Sequence, residues 1–359
     1  MKWLLFLGLI FMGKPILAQP NNSFNSTSEV AQYIIHKYQN DNDKILGIYY
    51  WVTSNFRYDA SNTFAMNAGP DPTAKINVAF ERRKGVCDNI SAIFNDICLK
   101  SGISSVVISG YTKQNGMVDK AGHSWCASSI NNHWYLFDPT WDLGRGSNFN
   151  YFMESPQHFI VSHMPFDPLW QLLTYPISHP QFSGNANYTM RTDFFSFPDS
   201  IIVFLGMDSL QKLQSAASRI ERFGIYNERI KLNYDVIKMN IEIAHQEKET
   251  ELYNSAVEDL NAVTNKLNRF IAYRNNRFLP LEPDRNLKEM IEGLNEGIVT
   301  ALKKLDDIDK SEAKLVLDTQ SERIRIERIA QKIEDQKTFL HKYLISDMAE
   351  RSNLFYDKK

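Results

Sequence analysis

Between residues 27 and 56 the apolar side chains recur every three or four positions: Val30, Tyr33, Ile34 and Tyr38, then Ile45, Leu46, Tyr49, Val52 and Phe56. That period puts them on one stripe of a helix. Residues 24–59 therefore predict two short helices, with caps in Ser26-Thr27-Ser28 and a restart at Asp41 and Asp43. A loop rich in Asn, Gly and Pro follows and ends before Ile76. The next stripe, Ile90, Ile93, Phe94, Ile97 and Cys98, predicts a helix over residues 87–101, with Asp88 in its first turn and Gly102 as its stop. From Ile103 the rhythm changes to alternation. Residues 105–109, 123–130 and 133–138 read as strands, and Asn131-Asn132 as a two-residue hairpin turn, because Asn tolerates the positive φ such turns require. Helices followed by antiparallel strands make residues 24–180 one α+β domain.

Past residue 208 the pattern is helical. Residues 209–273 contain no proline and a single glycine, Gly224. Spacings of four and three link Ile230, Tyr234, Ile237, Ile241 and Ala244, then Tyr253, Ala256, Leu260, Val263, Leu267 and Phe270. Pro280 and Pro283 interrupt the repeat, which resumes through Leu287, Ile291, Leu294, Ile298, Ala301, Leu305 and Ile308, and again from Ile326 to Tyr343. Two long helices joined by a proline-containing link predict a long antiparallel helical coiled-coil hairpin over 208–350, after a connecting segment at 181–207. The repeat slips near 245–252 and 309–325, so the supercoil is not uniform. The expected role is a structural stalk, with self-association or a protein partner as the binding alternative.

Composition narrows the class. Hydrophobic residues make up 43% and charged residues 23% of 359, as in globular proteins, and a net charge of −2 gives no field to gather nucleic acid. Lys2, the apolar run from Trp3 to Gly13 and Ile16-Leu17-Ala18 make residues 1–18 a signal peptide. Its apolar run is far shorter than the roughly 20 residues that span a bilayer. The expectation is an exported protein, periplasmic or extracellular, with no transmembrane span after cleavage. Three cysteines are an odd count and no disulfide scaffold.

Cys87 stands at a predicted helix start, where unpaired N–H groups and the macrodipole favour a thiolate. Gly85 is expected to let the backbone turn tightly before it; Arg82, Arg83 and Lys84 add positive potential, against which Asp88 works. On its own, such a cysteine is as readily a small buried hydrophobe. A nucleophilic thiol also needs a base and an orienting acceptor. If Asn131-Asn132 closes the hairpin, Ile130 faces His133 and His123 faces Thr140. Asp138 then shares a face with His123 as its diagonal neighbour and fixes the ring tautomer. Pro139 ends the pairing there. Cys126 lies on the opposite strand face from His123, and no second His/Cys pair has ligand spacing, so neither a metal nor a cofactor is expected. Cys98, about 16 Å along the helix from Cys87, and Cys126 are expected as buried thiols, with a Cys98–Cys126 disulfide as the alternative. Trp125, Trp134 and Trp141 are expected in the core or cleft wall, Trp51 and Tyr58 as packing residues. Asn89-Ile90-Ser91 matches a glycosylation acceptor by chance.

Three stretches, KGVCDNISAIFNDICLKSGI, GHSWCASSINNHWYLFDPTWD and the upstream IYYWVTSNFRYD, resemble the transglutaminase-like superfamily, and most of all its kyphoscoliosis peptidase branch. YFMESPQHFIVSHMPFDPLWQLLTYPIS resembles the next segment along the chain in that branch. The resemblance covers roughly residues 28–180. It implies a papain-like core with a Cys–His–Asp triad in that chain order, carried here by Cys87 as nucleophile, His123 as base and Asp138 as orienting acid. Where the family usually has His-Ala-Trp-Asn, this chain has His123-Ser124-Trp125-Cys126. The implied activity is acyl transfer or hydrolysis at an amide of a protein or peptide. The competing class is a catalytically silent exported binding or scaffold protein, a transglutaminase-like head on a coiled-coil stalk.

Overall fold

A computed structural model of the chain describes residues 24–62, 72–184, 194–310 and 317–356. The signal peptide, most of the predicted Asn/Gly/Pro loop and part of the 181–207 connection lie outside the described residues. Two compact units emerge, Met1–Ile237 and Lys238–Lys359.

The first unit begins with the two predicted helices, α1 (Thr27–Lys37) and α2 (Asp41–Asn55). Ser26 Oγ accepts the Glu29 N–H at 3.2 Å and Asn40 Oδ1 the Asp43 N–H at 2.9 Å, satisfying N–H groups that a helix start leaves open. The loop gives way earlier than expected: α3 runs Pro72–Arg82, its proline at the first position, where a missing N–H costs nothing. Strand β1 (Arg57–Tyr58) pairs in parallel with β2 (Lys84–Gly85), and that short ladder delivers the chain into α4 (Cys87–Lys100). Val30, Ile34, Ile45, Ile48 and Val52 of α1 and α2 share one buried cluster with Ile90, Ile93, Phe94 and Ile97 of α4.

Strands β3 (Ser105–Gln114), β4 (Met117–Ile130) and β5 (His133–Phe137) follow. Asn131 and Asn132 have φ of 52° and 64°, and the β4–β5 register pairs Ile130 with His133 through to Cys126 with Phe137, after which Asp138-Pro139 leaves the ladder. After α5 (Pro156–Phe159), the chain adds β6 (His163–Pro165) beside β3, a strand the alternation pattern did not announce, giving the sheet order β5-β4-β3-β6. Gly110 makes that edge pairing close. A Cβ there would come within 2.8 Å of Pro165 Cα and nearer still to the Met164 carbonyl and the Trp125 ring.

The helices α6 (His179–Phe182), α7 (Phe197–Gly206), α8 (Ser209–Phe223) and the start of α9 (Glu228–Asn275) complete this unit. The division therefore falls at Ile237 and not at the expected 208. Ile220, Phe223 and Ile230 are buried with Tyr111, Met164, Phe166 and Phe182, and Arg219 donates to both Asp167 oxygens at 2.7 and 2.6 Å. These contacts tie α8 and the first turns of α9 to the sheet.

In the second unit α9 is followed by α10 (Asp284–Glu292), α11 (Leu294–Asp309), α12 (Thr319–Ile345) and α13 (Met348–Asn353). Lys304 donates to Ser255 and Asp259 at 2.6 and 2.7 Å while Gly297, earlier in α11, lies against Val263, later in α9, so α11 runs antiparallel to α9. Arg325 reaches Asn261 at 2.6 Å and Arg274 reaches Gln336 at 2.8 Å, so α12 runs parallel to α9. The helical region is long, as expected, but it has three legs where a hairpin has two. Within the repeat slip at 309–325 α11 ends at Asp309 and α12 begins at Thr319, whereas the slip at 245–252 lies inside the unbroken α9. No helix among the described residues is long and apolar enough to cross a membrane.

Gly110→Ala should lower stability by about 1–3 kcal/mol through overpacking. Gly122→Ala on the neighbouring strand, whose nearest atom is 3.6 Å away, should change it by less than about 0.5 kcal/mol. Urea unfolding of both variants checks the difference, and equal midpoints would refute the packing account.

Candidate active site

Cys87 is the first residue of α4, a helix of 14 residues, so its N–H has no acceptor within the helix. Asn89 Oδ1 accepts the Val86 N–H at 3.1 Å and caps the helix, and Asn89 is itself buried. Gly85 does not make the tight turn expected of it. It lies in β2 without positive φ, and its missing side chain makes room for Asn89, whose Cβ would stand 2.7 Å from an added one.

The positive charges near Cys87 are also not the expected ones. Arg82 and Lys84 bind Asp59 at 3.1 and 2.9 Å, and the Arg83 guanidinium covers the Phe80 ring at 4.2 Å. Lys75 of α3 takes their place. It pairs with Asp88 and lies close enough for the charge of Cys87 to oppose the lowering of its pKa by burial. The acid expected to disfavour a thiolate is thus neutralised by a lysine facing it.

Two hydrogen bonds tie α4 to the strand of His123. Ser91 O–H donates to the Ser124 carbonyl at 2.9 Å, and the Cys126 thiol donates to the Ser91 carbonyl at 3.3 Å. Cys126, the residue that departs from the resembled pattern, is thus a buried link between helix and sheet. All three cysteines are free, and burial pushes the Cys98 and Cys126 thiols up.

His123 Nε2–H donates to Asp138 Oδ2 at 2.7 Å, the diagonal contact predicted from the hairpin register. Cys87 lies near enough to the same imidazole to help raise its pKa, so the structure gathers the three predicted residues in one neighbourhood. Burial works to lower the His123 pKa, but the charge and hydrogen bond of Asp138, with Cys87 behind them, carry it up to about 10. The rings of Trp141 and Trp125 flank the imidazole with centroids at 5.5 and 6.1 Å, and Trp125 belongs to a buried cluster. Trp51 is buried in the helical cluster.

Asp138 is 0% exposed, and its oxygens gather donors from every side. Oδ1 accepts the N–H groups of Thr140 at 2.9 Å and Trp141 at 3.3 Å. Oδ2 accepts a second imidazole, His163 Nε2–H, at 3.2 Å. Burial alone would raise the carboxyl; His123 and His163 hold it well below the usual carboxylate range. His163 itself is pushed down by burial. Tyr49 supports the same turn, its hydroxyl lying 2.8 Å from both the Asp138 carbonyl and Asp142 Oδ2.

Sequence reasoning named neither His163 nor Lys75. His163 lies inside the downstream stretch of the resemblance, and a His-Met-Pro run with proline at its end was the trace of an edge strand. His123, Asp138 and His163 also bring three metal-ligating atoms within 4.8 Å of one another. At 2.7 and 3.2 Å both nitrogens are at hydrogen-bonding distance from one carboxylate oxygen, which is a proton-linked cluster in place of an open cation cage.

Residues 28–139 match the family model of the transglutaminase-like superfamily. Kyphoscoliosis peptidase of Mus musculus is 25% identical over 185 residues, 47% of this chain and 27% of its own length. Hillarin of Drosophila melanogaster is 24% identical over 185 residues, 44% and 22% of the two chains. A solved structure of a TGase aligns at 19% identity over 37% of this chain and 36% of that one, with a TM-score of 0.26. The chain thus spans under a third of the length of the curated relatives it matches. The matched segment is transglutaminase-like, and the chain is similar over about half its length to kyphoscoliosis peptidases.

A pKa raised above its unfolded value makes the His123 charge a stabiliser of the fold. Its contribution is complete below the ordinary histidine value of about 6.5 and fades as pH rises through about 10. Asp138 contributes fully above the ordinary carboxylate range and loses that contribution only in strong acid. His123→Gln should therefore cost about 3–5 kcal/mol near pH 6, the scale for breaking a buried pair, and less at each step toward pH 10. Unfolding curves across that range check it; a gap that widens with pH would refute it.

Proposed function

We propose that the transglutaminase-like domain makes this chain an exported thiol enzyme that performs acyl transfer or hydrolysis at an amide of a protein or peptide. The observation that carries the reading is the His123–Asp138 bond at 2.7 Å, with Cys87 among the groups acting on the same imidazole. The apolar segment at 1–18 supports export to the periplasm or the extracellular space.

With Nε2 committed to Asp138, His123 has Nδ1 left to receive the Cys87 proton. The sulfur attacks the amide carbonyl carbon and the carbonyl π electrons move to oxygen. The N–H of Cys87, at the positive end of α4, is aimed to stabilise that oxyanion. Collapse of the intermediate breaks the C–N bond, and His123 returns its proton to the leaving amine. The thioester is then resolved by water, giving an acid, or by an amine, giving a new amide. Trp125 and Trp141 wall the imidazole from solvent, which strengthens each electrostatic contact.

Iodoacetamide should alkylate Cys87 at pH 6 about tenfold or more faster than an ordinary thiol, while buried Cys98 and Cys126 serve as internal controls. A peptide-library screen should show amide turnover that Cys87→Ala abolishes and His123→Ala lowers by about 10³-fold or more. Alkylation that tracks a free thiol across pH would remove the basis of the enzyme reading and leave a binding or scaffold head.

A further inference from the structure

His163 opens the edge strand β6, whose next two residues pair Met164 with Tyr111 and Pro165 with Gly110. Both its nitrogens are engaged. Nε2–H donates to Asp138 Oδ2 at 3.2 Å, and Nδ1 accepts from the Ser162 hydroxyl at 2.8 Å, which fixes one tautomer. The ring stacks on Phe159 with centroids 4.0 Å apart and meets Trp141 at 4.5 Å and Trp125 at 5.2 Å. Its side chain is 0% exposed. An imidazole so enclosed cannot reach a substrate, but it does reach the carboxylate that orients the base.

Asp138 needs that donor for part of every cycle. When His123 gives its proton to the leaving amine, its Nε2–H bond remains but its positive charge is gone. The carboxylate is then a buried charge without a counter-ion, a state that persists only with hydrogen bonds from the remaining donors. Thr140 and Trp141 hold Oδ1; on Oδ2 the donor besides His123 is His163.

We propose that His163 is a positioning residue, a hydrogen-bond donor that keeps Asp138 Oδ2 aimed at His123 while His123 is uncharged. The inference rests on the Cys87–His123–Asp138 reading. Burial, which disfavours the charged form of His163, suits it to donate without adding a second positive charge. The other ionisable groups facing the cluster are Cys87 of α4, Cys126 and Asp119 of β4, Tyr49 of α2, and Asp142 and Tyr151 after β5, with Lys75 of α3 beyond Cys87.

Iodoacetamide alkylation of Cys87 against pH, in the full chain, separates the roles. His163→Phe keeps a ring on Phe159 and removes the donor. His163→Gln removes the ring and keeps an N–H of similar reach. Ser162→Ala removes the hydroxyl at His163 Nδ1 and leaves both histidines. With a weaker carboxylate the imidazolium that partners the thiolate forms less readily, so the acid limb of the H163F profile should move up by about one pH unit, roughly a tenfold loss of rate at pH 6. H163Q should recover at least half of the shift, and S162A should move in the same direction by less. A ring needed only for packing gives the opposite order, with H163F near wild type and H163Q the worse, and overturns the proposal. So does a folded H163F that superimposes on wild type, or, should H163F not fold, an unmoved S162A. A wild-type profile that tracks an ordinary thiol rejects the triad itself, a result distinct from an unmoved variant.

Discussion

A carboxylate with no solvent contact is the constraint around which this domain is organised. Removing a charge of that size from water costs several kcal/mol even after relaxation, so Asp138 is tenable only where other groups replace its hydration. They come from three places in the chain. The turn just after it supplies two N–H groups, β4 supplies an imidazole, and the distant edge strand β6 supplies another. The hairpin register, the departure of Pro139 from the ladder and the close packing of β6 over Gly110 all serve to bring those donors to one point. The local structure and the chemistry thus share a cause: the geometry that makes the charge tolerable also aims it at His123.

The sulfur reaches this point by a different route. Cys87 belongs to a helix whose stripe is buried against α1 and α2, so its axis is set by packing of side chains such as Ile90, Phe94 and Ile97. Packing of that kind fixes a helix less sharply than a hydrogen bond fixes an atom. The two bonds at Ser91, one given to Ser124 and one received from Cys126, pin α4 to the strand within a few residues of His123. A thiol in place of the family's usual amide side chain still closes that link, and being a weak donor in an apolar surround it leaves no strong polar group unpaired.

How much of this is legible in the sequence depends on how local the cause is. The register of β4 and β5 was readable because two asparagines fix a turn, and the turn fixes which residues face each other; the His123–Asp138 contact came with it. His163 was not, because it acts from a three-residue strand reached through 25 residues without a regular period. Proximity in sequence misled at the basic run, since Arg82, Arg83 and Lys84 are neighbours of Cys87 along the chain but turn to Asp59 and to aromatic rings, while Lys75 arrives from across α3. In the helical region the 4,3 spacing gave the helices and their buried faces. It could not count the reversals, because a slipped repeat looks the same whether a helix continues through it, as at 245–252, or ends there, as near 309.

Two imidazoles on one carboxylate also decide which of them carries the positive charge. One negative charge can balance one positive charge; a second imidazolium would leave a net charge in a place that water does not reach. The histidines differ in just the respects that settle the choice. His123 holds the shorter bond to Asp138, 2.7 against 3.2 Å, retains some solvent exposure and has Cys87 among the groups that raise its pKa. His163 has no exposure, and its other nitrogen faces a hydroxyl that donates to it. Charge therefore collects on the ring beside the sulfur, where a proton is useful, and the enclosed ring remains a neutral donor. The division of labour between two identical side chains is written in the groups on the far side of each ring.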